Sequence, residues 1–234
     1  MPTYRLTLAY DGTDFRGWAL QPGLRTVAAT LADALAVQPE ALTVAGRTDA
    51  GVHAAGNVVS LEAPRMRSLR AINRRLPGDV AVLAVERAAD GFNARGDARG
   101  RSYVYRILTA EPPDPFRARF ELHHRRPLDE AVLAACAAAI VGTHDFRAFT
   151  PTETTHVFFR RTVHAAEWRR TGERLEFHLT ADALLRHMVR VLMGTMLARP
   201  DPDYLAQLLR GAPRSAAGRT APPHGLTLTS VAYE

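Results

Sequence analysis

The sequence predicts an α+β protein made of two successive halves, each running strand, helix, strand, strand, helix, strand. Three observations predict it. Short runs alternate apolar and polar residues at a period of two, the mark of half-buried strands. Between them lie segments whose apolar residues fall on one helical face. The order of strands and helices before Arg99 is then repeated after it.

In the first half, Leu6, Leu8 and Tyr10 alternate with Arg5, Thr7 and Ala9 and give the first strand. Thr26 can cap a helix whose Val27, Leu31, Ala34 and Leu35 share a face. Strands follow at residues 42–45 and 58–62. Ser68 opens a second helix with Leu69, Ile72 and Leu76 inward, and residues 80–86 read as a strand. In the second half, Tyr103, Tyr105 and Ile107 alternate on a strand, and a helix over 129–141 ends at Gly142. Residues 162–169 and 174–180 make a hairpin around Thr171-Gly172. A helix over 183–198 is stopped by Pro200, Pro202 opens a short one, and a strand over 226–231 closes the chain. Strand-helix-strand-strand-helix-strand is the ferredoxin-like order. The expected domains are therefore residues 1–99 and 100–234, two tandem ferredoxin-like subdomains. Together they would form a mixed, largely antiparallel sheet with helices packed on it and a cleft where the halves meet.

Composition bounds the function. A hydrophobic fraction of 47% allows a sizeable core, and a charged fraction of 23% is ordinary for a soluble protein. No run approaches the ~18 apolar residues of a membrane helix. The N-terminus enters a strand pattern at once, without a signal segment, so a cytoplasmic location with no membrane partner is expected. Cys136 is the only cysteine and falls among Val132, Leu133, Ala139 and Ile140, as a buried small hydrophobe would. Without Cys pairs or a His-x-x-x-His spacing, no metal site is expected. The chain has 30 basic against 24 acidic side chains, and every one of the basic residues is an arginine. The missing lysine excludes a Schiff-base or P-loop lysine mechanism. The positive balance suits a polyanionic partner, and arginine suits phosphate forks and stacking on bases.

The densest local signal is Gly46-Arg47-Thr48-Asp49-Ala50-Gly51-Val52-His53-Ala54. A carboxylate stands between two glycines, beside an arginine, just after the apolar run Leu42-Thr43-Val44-Ala45. Glycine lets a strand stop and turn sharply, which would hold Asp49 out toward a cleft. An ordinary surface turn, with the Asp capping its own backbone, has the same pattern.

The stretch Gly46–His53 resembles the active-site signature of the tRNA pseudouridine synthase A family. Other motifs resemble that family in the same order: Tyr10-Asp11-Gly12 with Gly17-Trp18, Asn73 with Leu76-Pro77-Gly78-Asp79, Phe92 with Ala94-Arg95, and Arg101 with Tyr103. So do Gly142 with Asp145-Phe146, His187-Met188-Val189-Arg190 with Gly194, and Ala221-Pro222 with Gly225-Leu226. The similarity runs from about Tyr4 to Val231. It departs at Ala19, Ala28, Ser102, Leu184 and Thr227, and residues 149–161 follow no pattern of the family.

The resemblance implies isomerisation of uridine to pseudouridine at positions 38–40 of the tRNA anticodon stem-loop, by a homodimer that grips one tRNA and has no DNA partner. It also implies two subdomains with joined sheets around a central active cleft. The reaction needs no redox change and no outside energy, so no cofactor is expected. It needs one carboxylate near the ribose, as a nucleophile at C1′ or as a base, and Asp49 is the candidate. Burial would raise the pKa of that carboxylate, and a guanidinium would reverse the trend. The resemblance gives this role to Arg190. Tyr103 would lie against the base, where its ring can stack and its hydroxyl can help take the C5 proton. It shares a face with Tyr105 and Ile107, so core packing is the competing reading, and the one taken for Tyr105. Arg47, Arg95 and Arg101 are the expected RNA contacts, with Arg47 helping to open the RNA or to hold the flipped nucleotide. Further arginine clusters at Arg65/Arg67, Arg74-Arg75, Arg125-Arg126 and Arg160-Arg161 suit the phosphate backbone.

Three rival readings stay open on sequence alone. One is a synthase acting on another RNA. The second is a non-catalytic RNA-binding or RNA-folding module. The third, a metal-dependent hydrolase ligated by Asp11, Asp14, Asp49 and His53, is disfavoured because no second carboxylate stands at a familiar spacing.

Overall fold

The computed structural model describes all 234 residues, Met1–Glu234. The chain forms a mixed α+β fold whose strands pair mostly antiparallel. It divides into two compact units, Met1–Arg99 with Thr227–Glu234, and Gly100–Leu226.

The first unit runs β1 (Thr3–Tyr10), α1 (Val27–Leu35), β2 (Thr43–Val44), β3 (His53–Glu62), α2 (Leu69–Asn73) and β4 (Val80–Arg87). Its strands lie in the order β4-β1-β3, with β2 also on β3, and all these pairs are antiparallel. The alternation read from β1 is real, since Leu6, Leu8 and Tyr10 are buried. Both helices begin where a hydroxyl accepts from an unsatisfied backbone N–H: Thr26 from Ala29 N, and Ser68 from Ala71 N. The apolar face of α1 is buried through Val27, Leu31, Ala34 and Leu35.

The C-terminal strand, Leu226–Ala232, pairs parallel to β3 through Thr227↔His53 and Leu228↔Ala54. Arg99 N donates to Ala232 O at 2.8 Å, and the Tyr233 hydroxyl donates to Ala94 O at 2.8 Å. The sequence places residues 226–231 as the closing strand of the second half. Structurally, Thr227–Glu234 completes the first unit. These long-range pairs have no signature in local periodicity.

The second unit runs β5 (Gly100–Leu108), β6 (Leu122–His123), α3 (Glu130–Ala139), β7 (Gly142–Asp145), β8 (Arg160–Thr171), β9 (Arg174–Ala181), α4 (Met188–Ala198) and α5 (Pro202–Leu208). Strands β5-β9-β8-β7 pair antiparallel in that order, and β6 pairs parallel to β5. The β8–β9 hairpin turns at Gly172, whose φ of +58° lies in the left-handed region open to glycine. Asp129 caps α3 by accepting from Val132 N, and Cys136 is buried in that helix. Asp201 caps α5, with Pro202 in its first turn.

One helix differs from its sequence reading. The helix expected over 183–198 begins only at Met188. The Asp182 carboxylate accepts from both Thr162 N and Ala183 N, which diverts the backbone that would start the helix. His187 then adopts φ 63°, a left-handed conformation that no α-helix interior accommodates. Arg190 consequently stands in the first turn of α4.

Candidate active site

The turn that carries Asp49 is held on both sides by backbone. Trp18 N donates to Thr48 O at 3.0 Å, and Gly51 N to Phe15 O at 3.2 Å. Val52 N closes the turn onto Asp49 O at 3.1 Å, and Gly51 has φ +77°. Two glycines of the 11–18 segment make this approach possible. A Cβ on Gly12 would lie 2.0 Å from Val52 O, and one on Gly17 2.9 Å from Thr48 O. No side chain fits there.

Beneath the turn is a buried polar network. The Tyr10 hydroxyl is 2.8 Å from Thr48 Oγ1, and Asn57 Nδ2 donates both to that hydroxyl at 3.1 Å and to Gly46 O at 2.8 Å. Burial pushes the Tyr10 phenol up to about 12, against the opposing bonds to Thr48 and Asn57, so it stays neutral. The network grips both flanks of the turn: the carbonyl of Gly46 before it and the side chain of Thr48 inside it. Asp49 is half-buried at its end, and Arg47 is exposed beside it.

His53, buried at the start of β3, accepts from Gly12 N at Nδ1 (3.0 Å). The same nitrogen lies 3.2 Å from Asp11 Oδ1, which also accepts from the N–H and hydroxyl of Thr13. These residues are taken up in bracing the turn. No group of three or more His, Cys, Asp or Glu side chains is placed to hold a metal ion.

In the second unit, Tyr103 is buried on β5 opposite Leu179 of β9. Tyr105, two residues on, is fully buried, as core packing predicts, yet its hydroxyl also donates to Pro222 O at 2.9 Å. Arg190 is half-buried, and its Nε donates to Ala221 O at 2.9 Å. Arg101, expected on the RNA, is only 8% exposed, and its Nη1 donates to Asp182 O at 2.6 Å. That bond holds the loop leading into α4. Arg95 is exposed, on a turn whose N–H bonds to Asn93 Oδ1. The side chains of Arg65, Arg67, Arg74, Arg75, Arg125, Arg126 and Arg160 are also exposed.

Sequence reading passed over Asn57, Thr48 and the Tyr105 hydroxyl as functional groups. Asn57 had left a trace. It is an amide inside the apolar run of β3, where a polar side chain needs a buried partner.

A half-buried carboxylate on a turn fixed from both flanks, in an α+β fold, belongs to the class of sites that can work by side-chain acid–base or nucleophilic chemistry. Known proteins narrow it. A family model described as tRNA pseudouridine synthase matches residues 136–234. The tRNA pseudouridine synthase A of Bacillus velezensis is 38% identical, covering 98% of this chain and 98% of its own. That of Moorella thermoacetica is 39% identical, with both chains covered in full. A chain of a solved Cbf5-Nop10-Gar1 complex aligns at a TM-score of 0.43 and 14% identity, covering 96% of this chain and 48% of that one. This chain belongs to the tRNA pseudouridine synthase A family and is an isomerase.

Proposed function

We propose that this protein isomerises uridine to pseudouridine at positions 38–40 of the tRNA anticodon stem-loop, with Asp49 as its catalytic carboxylate. What carries the reading is identity of 38–39% to synthases over essentially the whole chain, together with a half-buried Asp49 on a turn fixed from both flanks. The reaction breaks the C1′–N1 bond, turns the uracil, and forms a C1′–C5 bond. The C5 proton leaves and N1 gains one, so atoms and charge balance with no cofactor.

In this reading Asp49 acts at the ribose, and Arg190 is the guanidinium assigned to pair with it. Tyr103 stacks on the flipped uracil and offers its hydroxyl near C5. Arg47 and Arg95 meet the RNA directly, while Arg101 serves through the loop it holds. The first unit's strand order, β4-β1-β3 with β2 on β3, supports a ferredoxin-like subdomain there. The working form is a cytoplasmic homodimer on one tRNA.

Tritium release from unmodified tRNA labelled at uridine C5 tests the reading. Wild type releases tritium, and mapping places the product at positions 38–40. Asp49→Ala releases none, yet binds the same tRNA within about threefold of wild type, because phosphate contacts dominate affinity. A folded wild type that releases none from any tRNA overturns it.

A further inference from the structure

Arg190 is bonded twice to one residue. Its Nε donates to Ala221 O at 2.9 Å, and its carbonyl accepts from Ala221 N at 2.9 Å. Fixing Nε on a backbone carbonyl sets the plane of the guanidinium and the direction of its two Nη groups. The strap that contains Ala221, residues 217–222, therefore helps to set where the guanidinium stands.

A hydroxyl holds the strap at each end, while Arg214 reaches Ala217 O at 3.3 Å and Thr220 Oγ1 at 3.4 Å along it. Near its start, Gly218 N donates to Thr195 Oγ1 at 2.9 Å, and that hydroxyl donates to Val191 O at 2.7 Å. At its end, the Tyr105 hydroxyl donates to Pro222 O at 2.9 Å. Thr195 and Tyr105 are both essentially fully buried, so neither hydroxyl has bulk water as a substitute partner. Between these points the strap lies directly on α4. A Cβ on Gly194 would come within 1.8 Å of Arg219 O, and one on Gly218 within 2.7 Å of Thr195 Cα. An open surface groove adjoins the strap, lined also by Leu122, Leu197 and Ala198. Close packing cannot hold the strap on the groove side, which leaves the hydrogen bonds to do so.

We infer that Thr195 and Tyr105 are positioning residues for the isomerisation, acting through the strap on Arg190. The inference rests on the proposed role of Arg190. It assigns a function to two hydroxyls that core packing alone would not require.

Thr195→Val replaces the hydroxyl by a methyl of like shape, and Tyr105→Phe removes the other anchor while keeping the ring. Each variant should lower kcat on tRNA by about 10- to 100-fold, the effect of a displacement near 1 Å. KM should stay within about twofold, since binding of the tRNA body is untouched. Thr195→Ser, which keeps the hydroxyl, should recover most of the rate. In an Arg190→Lys background, which lacks Nε, adding Thr195→Val should cost nothing more. Wild-type kcat in both hydroxyl variants overturns the inference, as does an additive loss in the Arg190→Lys background. If Thr195→Val does not fold, Tyr105→Phe decides from the other end. Arg190→Ala separates the two levels. Full activity in that variant removes the role of Arg190 itself, whereas its inactivity beside an active Thr195→Val overturns only the positioning role.

Discussion

At the scale of single residues, the most informative group in the first unit is one that does no chemistry. The Tyr10 hydroxyl joins Thr48, inside the turn, to Asn57, which also holds Gly46 at the turn's entry. Tyr10→Phe leaves the ring in the core and deprives both partners of a bond. Thermal unfolding should show a loss of about 1 kcal/mol. Turnover should fall about tenfold, because the Asp49 turn loses its brace. An unchanged rate would separate the network from catalysis. The turn that carries Asp49 was legible in the sequence, because two glycines and an arginine mark it. Tyr10 was not legible in this role, since its partners lie 38 and 47 residues away and only folding brings them near.

At the scale of elements, the sequence reading did best where a local chemical signal ends a helix or turns a hairpin. Thr26 and Ser68 open their helices where their side chains predicted, and the short helix begins at Pro202 as expected. It did worst where a side chain competes with the backbone, as Asp182 does before α4. It also missed β6 and β7, whose two and four residues are too few to show a period. Glycines within the family-like motifs are not equivalent. Gly12 leaves no room, since its Cβ would meet the Val52 carbonyl at 2.0 Å, whereas nothing lies within 4 Å of a Cβ on Gly78. Gly12→Ala should therefore cost on the order of 2 kcal/mol and displace the Asp49 turn, while Gly78→Ala should be neutral in both melting and turnover. Equal behaviour of the two variants would contradict the close approach.

At the scale of the whole molecule, acid tolerance turns on a buried carboxylate. Glu121 is buried in the second unit and bonded to Arg117 at 2.6 Å and to Arg174 of β9. Burial alone would push its carboxyl up, but the two guanidiniums outweigh that and hold it below its ordinary value of 4.5. A depressed folded-state pKa contributes stability in full above the unfolded value, and that contribution is lost as pH falls through the folded one. Glu121→Gln should thus be less stable than wild type by about 2 kcal/mol near neutral pH. Below pH 4.5 the gap should close as wild type itself weakens. A gap independent of pH would mean that shape, and not charge, sets the effect.

The return of the chain's last residues to the first unit bears on biosynthesis. β3 begins at His53, four positions after Asp49, and its pairing at His53 and Ala54 is with Thr227 and Leu228. A ribosome delivers the Asp49 turn early, and the strand that pairs with the start of β3 long after it. The first unit gains this partner for β3 only once Thr227 and Leu228 have been made.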